Sequence, residues 1–418
     1  MMNATLNVLA VAVCVIAVAA EPTYATPVAV AAVLIPVILL RQRAFAEVSK
    51  ARTVLFPLAL FVVAVCAAAF WGLSTPLDLA ARAGKIALFA LAGGVALSLP
   101  VSGRVGMPVM MGLALGATVV ALALFENRFV GALADLFVPA DAGELEAVFI
   151  RANLHKAPAV FLAILSFPLA LLAVSTRSRD GGGMIWGPAA IVVLGVAMSG
   201  HETAFLALGA GVAAAGLAYS LPRIAGGVVV LVAAFLLLAA PALLAKGDLK
   251  PLLDATRFST SIQHRVLIAD FAAARIAERP VLGWGLDSAR AIPEASARIA
   301  DTPSRLDRFD VADLTPTVWQ RAQNMPLHPH NVMLQIRLEL GLPGAVAALL
   351  LLGAVASGLA RMQSARGRAM AFGMLATYLA IASVSYGAWQ SWWLSILVLA
   401  VLSGRCALAA SARLRGGA

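Results

Sequence analysis

The sequence predicts an all-α, polytopic membrane protein with about twelve transmembrane helices. Of its 418 residues, 61% are hydrophobic and only 12% are charged, whereas charged residues approach a quarter of a soluble domain. The mean hydropathy is +0.92. Apolar runs long enough to cross a bilayer recur from one end of the chain to the other. These observations exclude a soluble globular enzyme.

The first apolar run, residues 5–20, is interpreted as a retained helix, because no Lys or Arg precedes it as in a signal peptide. The three cysteines have no metal-ligand spacing and are interpreted as small apolar side chains. The predicted spans, in order, are 5–20, 24–40, 54–71, 85–100, 106–125, 157–174, 184–199, 203–220, 224–245, 332–358, 370–384 and 387–404.

Basic residues accumulate in the short segments that follow every second span. By the positive-inside rule those segments are cytoplasmic, as are both termini. The net charge of +10 therefore reports topology and does not indicate nucleic-acid binding. The segments predicted on the outer side, which is the periplasm of a Gram-negative cell, are 72–84, 126–156, 200–202 and 246–331.

The long outer loop divides the chain into three parts: spans one to nine at 1–245, the loop at 246–331, and the last three spans with a cytoplasmic tail at 332–418. The loop segment holds 21 of the 52 charged residues. Ser261 to Glu278 has the apolar spacing of an amphipathic helix that stops before Pro280. We therefore expect a partly helical loop domain. The apolar positions of that helix are Ile262, Val266, Phe271 and Ile276.

The segment MPLHPHNVMLQIRLELGLPG, residues 325–344, places His328 and His330 where this loop enters an apolar helix. Polar groups near hydrocarbon are unfavourable and indicate a functional site. An imidazole removes a proton from a hydroxyl near neutral pH. Asn331 and Gln335 lie one turn apart and could order the ring or bind substrate. In the alternative reading the histidines and Asn331 only cap the helix.

Arginines of the long loop are candidates for binding phosphate, because a guanidinium group holds phosphate oxygens in a bidentate manner. Arg265 and Arg279 are fourteen residues apart and lie on similar faces of one helix. Arg275 lies on another face. In the alternative reading these residues form a solvated basic face. His201, with Glu202, occupies a short outer turn and either lines the site or is solvated.

These segments resemble the O-antigen ligase and polymerase superfamily of bacterial inner-membrane enzymes. RPVLGWGLDSAR at 279–290, after Arg265, is similar to the family's arginine and "P-x-x-G-x-G" turn. His328 to Gly344 is similar to its "H-x-H-N-x-x-L-Q…E-x-G-x-x-G" pattern. The region similar to an O-antigen ligase covers about 185–345. His201 stands where many members carry an arginine.

The resemblance implies a fold related to the GT-C glycosyltransferases. It also implies transfer of a glycan from undecaprenyl diphosphate to an acceptor hydroxyl at the periplasmic face of the inner membrane, without a cofactor or metal. His330 is then the candidate general base and Arg265 the candidate diphosphate ligand. The supporting donor or substrate contacts are Arg279, His328, His201, Asn331, Gln335 and Glu339.

The acceptor separates the alternatives. A ligase delivers the glycan to lipid A-core, a polymerase adds it to another repeat unit, and a third variant glycosylates proteins. We expect a ligase-like enzyme, with a polymerase as the alternative. A secondary transporter is the distant alternative, because the sequence has no repeated pair of broken helices and its polar residues gather at the outer interface.

Overall fold

A computed structural model describes residues 52–98, 101–136, 138–144, 147, 150–151, 156–176, 183–302, 309 and 314–416. The predicted spans 5–20 and 24–40 lie outside these residues. The α-helices within them are α1 (Arg52–Ala68), α2 (Pro76–Ser98), α3 (Gly103–Phe129), α4 (Ala132–Asp135), α5 (Lys156–Ala173), α6 (Gly183–Met198), α7 (Glu202–Ser220), α8 (Pro222–Ala234), α9 (Ala240–Lys246), α10 (Lys250–Ala255), α11 (Thr260–Glu278), α12 (Pro316–Arg321), α13 (Val332–Ala360), α14 (Ala365–Ala382) and α15 (Ser391–Gly416).

The all-α class is confirmed: the only β-type pairing among the described residues is one isolated bridge between Arg298 and Gln323. Eight helical segments there are long and apolar enough to cross a membrane. A π-helical turn, Phe235–Ala239, joins α8 to α9, so that these form one span. Each predicted span from 54–71 onward overlaps a helix, but the bounds differ: α2 begins at Pro76, inside the segment 72–84 that was predicted to lie outside the spans, and α15 extends to Gly416. The apolar part of α6 is shorter than a full span, and α14 is not among the eight.

The main bundle is built around α5. In the membrane-spanning stretch of α5, 89% of the residues are buried inside the protein. Only 17% of the residues are buried in the corresponding stretches of α1 and of the α8–α9 span. An apolar core joins α5 to α3, α6, α7, α14 and α15. A helix that is apolar on every side needs neighbours on every side. The sequence of α5 thus places it at the centre, and α1 and α8–α9 lie at the periphery.

The long loop is packed against the start of α13. Apolar side chains of α11 form one cluster with Trp284, Met325 and two leucines of α13, Leu334 and Leu338. The predicted amphipathic helix is confirmed and ends before Pro280. Its buried face is shifted from the predicted one, because Leu267 and Ile268 are buried while Ile262 is exposed. This packing fixes the helix that carries Arg265 beside the helix that follows His330.

A kink in α13 receives the Gly-rich turn of the long loop. Gly341 has φ of 63° and ψ of −151°, a conformation that is strained for residues with a Cβ. A Cβ there would meet the carbonyl group of Val281. Gly283 has φ of 70°, and its Cβ position is 2.7 Å from the backbone nitrogen of Gly341. The two motif blocks of the sequence therefore dock backbone against backbone.

We expect Gly341→Ala to lower the free energy of unfolding by about 2 kcal/mol or more, because it adds backbone strain and a clash with Val281. Gly353→Ala, in the same helix, is the matched control. It has open space at its Cβ and should leave stability unchanged or slightly raised. Thermal unfolding of the two purified variants in detergent measures the difference. Equal melting temperatures would contradict the docking role of the kink.

Candidate functional site

The predicted base, His330, lies beside a loop that connects α14 to α15. We call residues 385–390 the outer loop, because the predicted topology places this turn on the outer side; it is distinct from the long loop at 246–331. The Nδ1 atom of His330 is 2.8 Å from the carbonyl oxygen of Ser385. His330 itself has a φ of 52°, a left-handed conformation uncommon for a residue with a side chain. Strained backbone of this kind is concentrated at functional sites. The contact with Ser385 fixes the orientation of the ring.

The same contact determines which ring nitrogen of His330 is basic. A carbonyl oxygen only accepts hydrogen bonds, so Nδ1 of the neutral imidazole must carry the proton. The lone pair is then on Nε2. A ring held through Nδ1–H with Nε2 as the proton acceptor has the arrangement required of a general base.

The environment of His330 favours its neutral form. Burial lowers the pKa of His330 below its usual value, and the bond to the Ser385 carbonyl raises it. The charge of Arg265 lowers the pKa further, as do the nearby His264 and Lys156. An imidazole with a lowered pKa is unprotonated at neutral pH and able to accept a proton.

His328 holds the backbone of His330 through a hydrogen bond. Its Nδ1 accepts the backbone N–H of His330 at 3.1 Å, and the two rings have centroids 4.4 Å apart. The His328 side chain is buried, and a Cβ at Gly387 would meet its ring at 2.8 Å. Burial lowers the pKa of His328 to about 3, with smaller contributions from His330 and Arg290. His328 is therefore neutral and acts on the backbone of its neighbour.

Arg265 is half-buried on α11 and close to both the outer loop and the base. Its charge acts on the pKa of His330, as stated above. Burial lowers the pKa of Arg265 itself, and the Tyr386 phenol group raises it. An arginine keeps its charge despite such a shift. The structure thus brings together the two residues predicted to carry the base and the diphosphate contact.

His201, which precedes α7, also contacts the outer loop. It caps α7, where its Nδ1 accepts the backbone N–H of Ala204 at 3.1 Å. Nδ1 is therefore an acceptor, and Nε2 carries the proton. Nε2 lies 3.2 Å from the hydroxyl oxygen of Tyr386. His201 is thus connected to the site through Tyr386. Glu202 is exposed in the first turn of α7.

The polar residues inside α13 contact the protein backbone and the outer loop. Asn331 caps the helix by accepting the N–H of Leu334 at 3.0 Å, which is the capping reading of the sequence. Gln335 accepts the N–H of Ala388 at 2.8 Å and donates to Glu339 at 2.9 Å.

Glu339 is fully buried and joins three segments. Besides Gln335, its Oε2 accepts the backbone N–H of Asp287 and the indole N–H of Trp389, each at 2.6 Å. Arg337, two residues before Glu339 and also buried, donates to the carbonyl of Pro280 at 2.6 Å. These groups fasten the long loop and the outer loop to α13.

The structure does not bring Arg279 to the site. Arg279 follows the last residue of α11, is exposed, and stacks over the Trp284 ring at 4.0 Å. Fourteen helical residues at 1.5 Å each separate it from Arg265 by roughly 21 Å. Arg279 therefore packs at one end of α11, and Arg265 and His330 meet near the other end.

Two parts of the site were missed by the sequence reasoning. The outer loop, SYGAWQ, has no charged residue. Only residues 385–386 lay between predicted spans; the assignment of 387–390 to the span 387–404 was wrong, because the last helix begins at Ser391. Lys156 begins α5 and acts on the pKa of His330. A signal was available for both, because the predicted topology puts the turn after span 370–384 and the 126–156 segment on the same side as His330.

Comparisons with known proteins identify sequences similar to part of this chain. The sequence model of the family described as O-Antigen ligase matches residues 187–349, a range that runs from α6 through the long loop to the first half of α13. It includes His201, Arg265, His330 and Glu339. This segment is similar to the O-antigen ligase family. The resemblance inferred from the motifs is confirmed.

Curated proteins similar to part of this chain occur in Rickettsia. The protein named "Putative polysaccharide ligase RC0486" of Rickettsia conorii is 31% identical over 135 residues, which are 32% of this chain and 29% of that protein. One from Rickettsia bellii, named "Putative polysaccharide ligase", is 32% identical over 144 residues, 34% of this chain and 32% of that protein. The chain thus spans about a third of the length of these relatives.

We expect Glu339→Ala to lower the free energy of unfolding by about 3 kcal/mol, because buried donors of Asp287, Trp389 and Gln335 lose their acceptor. Glu202→Ala removes an exposed carboxylate and is the control; its cost should be about 1 kcal/mol or less. Chemical denaturation of both variants in detergent provides the comparison. Similar losses for the two variants would disprove the anchoring role of Glu339.

Proposed function

We propose that this multi-pass membrane protein is an O-antigen ligase-like glycosyltransferase. It transfers a glycan from undecaprenyl diphosphate to a hydroxyl group of lipid A-core at the periplasmic face of the bacterial inner membrane. The observation that carries the proposal is the orientation of His330: Nδ1 is held by the Ser385 carbonyl, and Nε2 is the basic atom, close to Arg265. The family match and the names of the relatives support the reaction class.

His330 is the general base of the proposed reaction. Its Nε2 takes the proton from the acceptor hydroxyl as that oxygen attacks the anomeric carbon of the donor sugar. The new glycosidic bond forms as the bond from the anomeric carbon to the diphosphate oxygen breaks, and the bonding electrons leave with the diphosphate. Attack from the face opposite the leaving group inverts the anomeric configuration. The diphosphate bond supplies the free energy, so ATP is not needed.

Arg265 stabilises the departing diphosphate. A fixed cation placed where negative charge develops lowers the barrier more than the same cation in water, because no reorganisation is needed. Lys156 adds positive charge near both Arg265 and His330. Both termini are cytoplasmic in this scheme, and the polyprenyl chain of the donor remains in the bilayer.

Reconstitution with an undecaprenyl-diphosphate glycan tests the function. Lipid A-core, a glycan repeat unit and a peptide are supplied separately as acceptors to proteoliposomes, and the products are separated by electrophoresis and mass spectrometry. Transfer to lipid A-core is expected. Transfer only to the repeat unit would establish a polymerase, and accumulation of a solute without a glycan product would establish a transporter.

We expect His330→Ala to lower the rate of glycan transfer by a factor of about 10² to 10⁴, while the protein still folds. Arg265→Gln should weaken donor use. Arg257→Gln changes an exposed arginine of the same loop and is the control for both. Initial rates are measured at equal protein amounts, with the melting temperature as the check on folding. Normal transfer by His330→Ala would remove His330 from the mechanism.

The pH profile tests the environment of the base. Because burial and the charge of Arg265 lower the pKa of His330, kcat/KM should be flat near neutral pH and fall only below the usual histidine value of about 6.5. Arg265→Gln removes a cation that opposes protonation, so the acidic limb should move to higher pH. A limb that stays in place would show that Arg265 does not act on His330.

A further inference from the structure

A second group of cations lies apart from Arg265 and Lys156. Arg82 and Lys85 are three residues apart on α2, so they project from one face of a helix long and apolar enough to span the membrane. Both side chains are half-buried. Charged residues on a spanning helix are unfavourable in lipid and face a protein interior or a polar site. Their position near the Pro76 end puts them on the outer side.

Two residues of the long loop complete this group. Asp287 forms an ion pair with Arg82, with 2.8 Å between the Arg82 Nε and a carboxylate oxygen. Arg290 follows three residues later and is exposed. Burial raises the pKa of Asp287, and the charges of Arg82, Arg290 and Lys85 all lower it. All three cations are therefore close to this one carboxylate.

The group carries more positive charge than its own carboxylates balance. Asp287 and Glu339, which accepts the backbone N–H of Asp287, are the two carboxylates at this group among the described residues, so its three cations leave a surplus of one positive charge in a half-buried location. Ionic groups are placed in such positions when an opposite charge completes them. A phosphate or a carboxylate would supply that charge, and Arg290 gives the group an opening to solvent.

This group is linked to His328, whereas the proposed donor contacts act on His330. Arg290 acts on the pKa of His328, whereas Arg265 and Lys156 act on that of His330. The backbone N–H of Asp287 is bound by Glu339, which also holds the outer loop through Trp389. The hydrogen bonds of Glu339 therefore set the position of Asp287 and its cations relative to the outer loop that holds His330.

We infer that Arg82, Lys85 and Arg290 form a binding site for an anionic group, phosphate or carboxylate, of the acceptor glycan. The inference rests on the proposed function. The hydroxyl that attacks must approach Nε2 of His330 while the diphosphate occupies the Arg265 side. An acidic group of the acceptor, held by the second set of cations, would orient that hydroxyl without competing for the donor site.

The test compares acidic and neutral acceptors. Matched oligosaccharide acceptors carrying a phosphate, a uronic-acid carboxylate or neither are offered to protein in phosphatidylcholine vesicles, so that anionic lipid does not fill the site. The variant is Lys85→Gln with Arg290→Gln, which keeps the Arg82–Asp287 pair. Lys250→Gln with Arg257→Gln removes the same charge from exposed positions of the loop and is the control.

The double variant should raise the acceptor KM about tenfold or more for the acidic acceptors. The KM for the neutral acceptor and for the donor should not change, and the control should resemble the wild type. Equal increases for acidic and neutral acceptors, an increase in the donor KM alone, or no change would each overturn the inference. The phosphate and carboxylate arms identify which anion is preferred.

A binding measurement separates this inference from the proposed function. The phosphorylated acceptor, fluorescently labelled, is titrated against the wild type and both double variants without donor. Loss of binding only in Lys85→Gln with Arg290→Gln supports the anion site, even if the wild type transfers no glycan to any acceptor. Transfer by the wild type with unchanged binding in this variant would support the function and reject the site.

Discussion

The buried carboxylate of Glu339 is the interaction on which the site depends. It accepts hydrogen bonds from Gln335 on its own helix, from the backbone of Asp287 in the long loop, and from the Trp389 side chain in the outer loop. A buried carboxylate is favourable only when its acceptor capacity is used. Both loop residues lie fifty or more positions from Glu339 in the sequence, and this single group fixes the relative positions of the three segments.

Several motif residues thereby have structural explanations. Gly283 and Gly341 allow two backbone segments to approach, and Glu339 anchors both loops. Gln335 and Asn331 bond the backbone of the outer loop and of their own helix. These other residues thus position the backbone around His330 and Arg265, the proposed base and diphosphate contact.

The sequence predicted the fold class, the helix positions from α1 onward, and the pairing of His330 with Arg265, because these follow from local hydropathy, from loop order and from a recognisable pattern. The role of the outer loop could not be predicted. Its contribution is made mainly by the backbone carbonyl of Ser385 and the indole of Trp389, and carbonyl groups carry no signature in a sequence. Arg279 was grouped with Arg265 by helical periodicity, which specifies direction around an axis but not the distance of roughly 21 Å along it.

The two cationic groups give a physical reason for having two histidines. His330 faces the group with Arg265, and His328 lies toward Arg290. Bound anions would favour the protonated form of a nearby histidine and so raise its pKa. Burial opposes that effect and keeps both rings neutral. With His328 neutral, its Nδ1 remains an acceptor for the backbone of His330, and the strained conformation that aims Nε2 is maintained. The polar pair at the entrance of α13 is thus one imidazole with a basic Nε2 and a second imidazole that holds the backbone of the first.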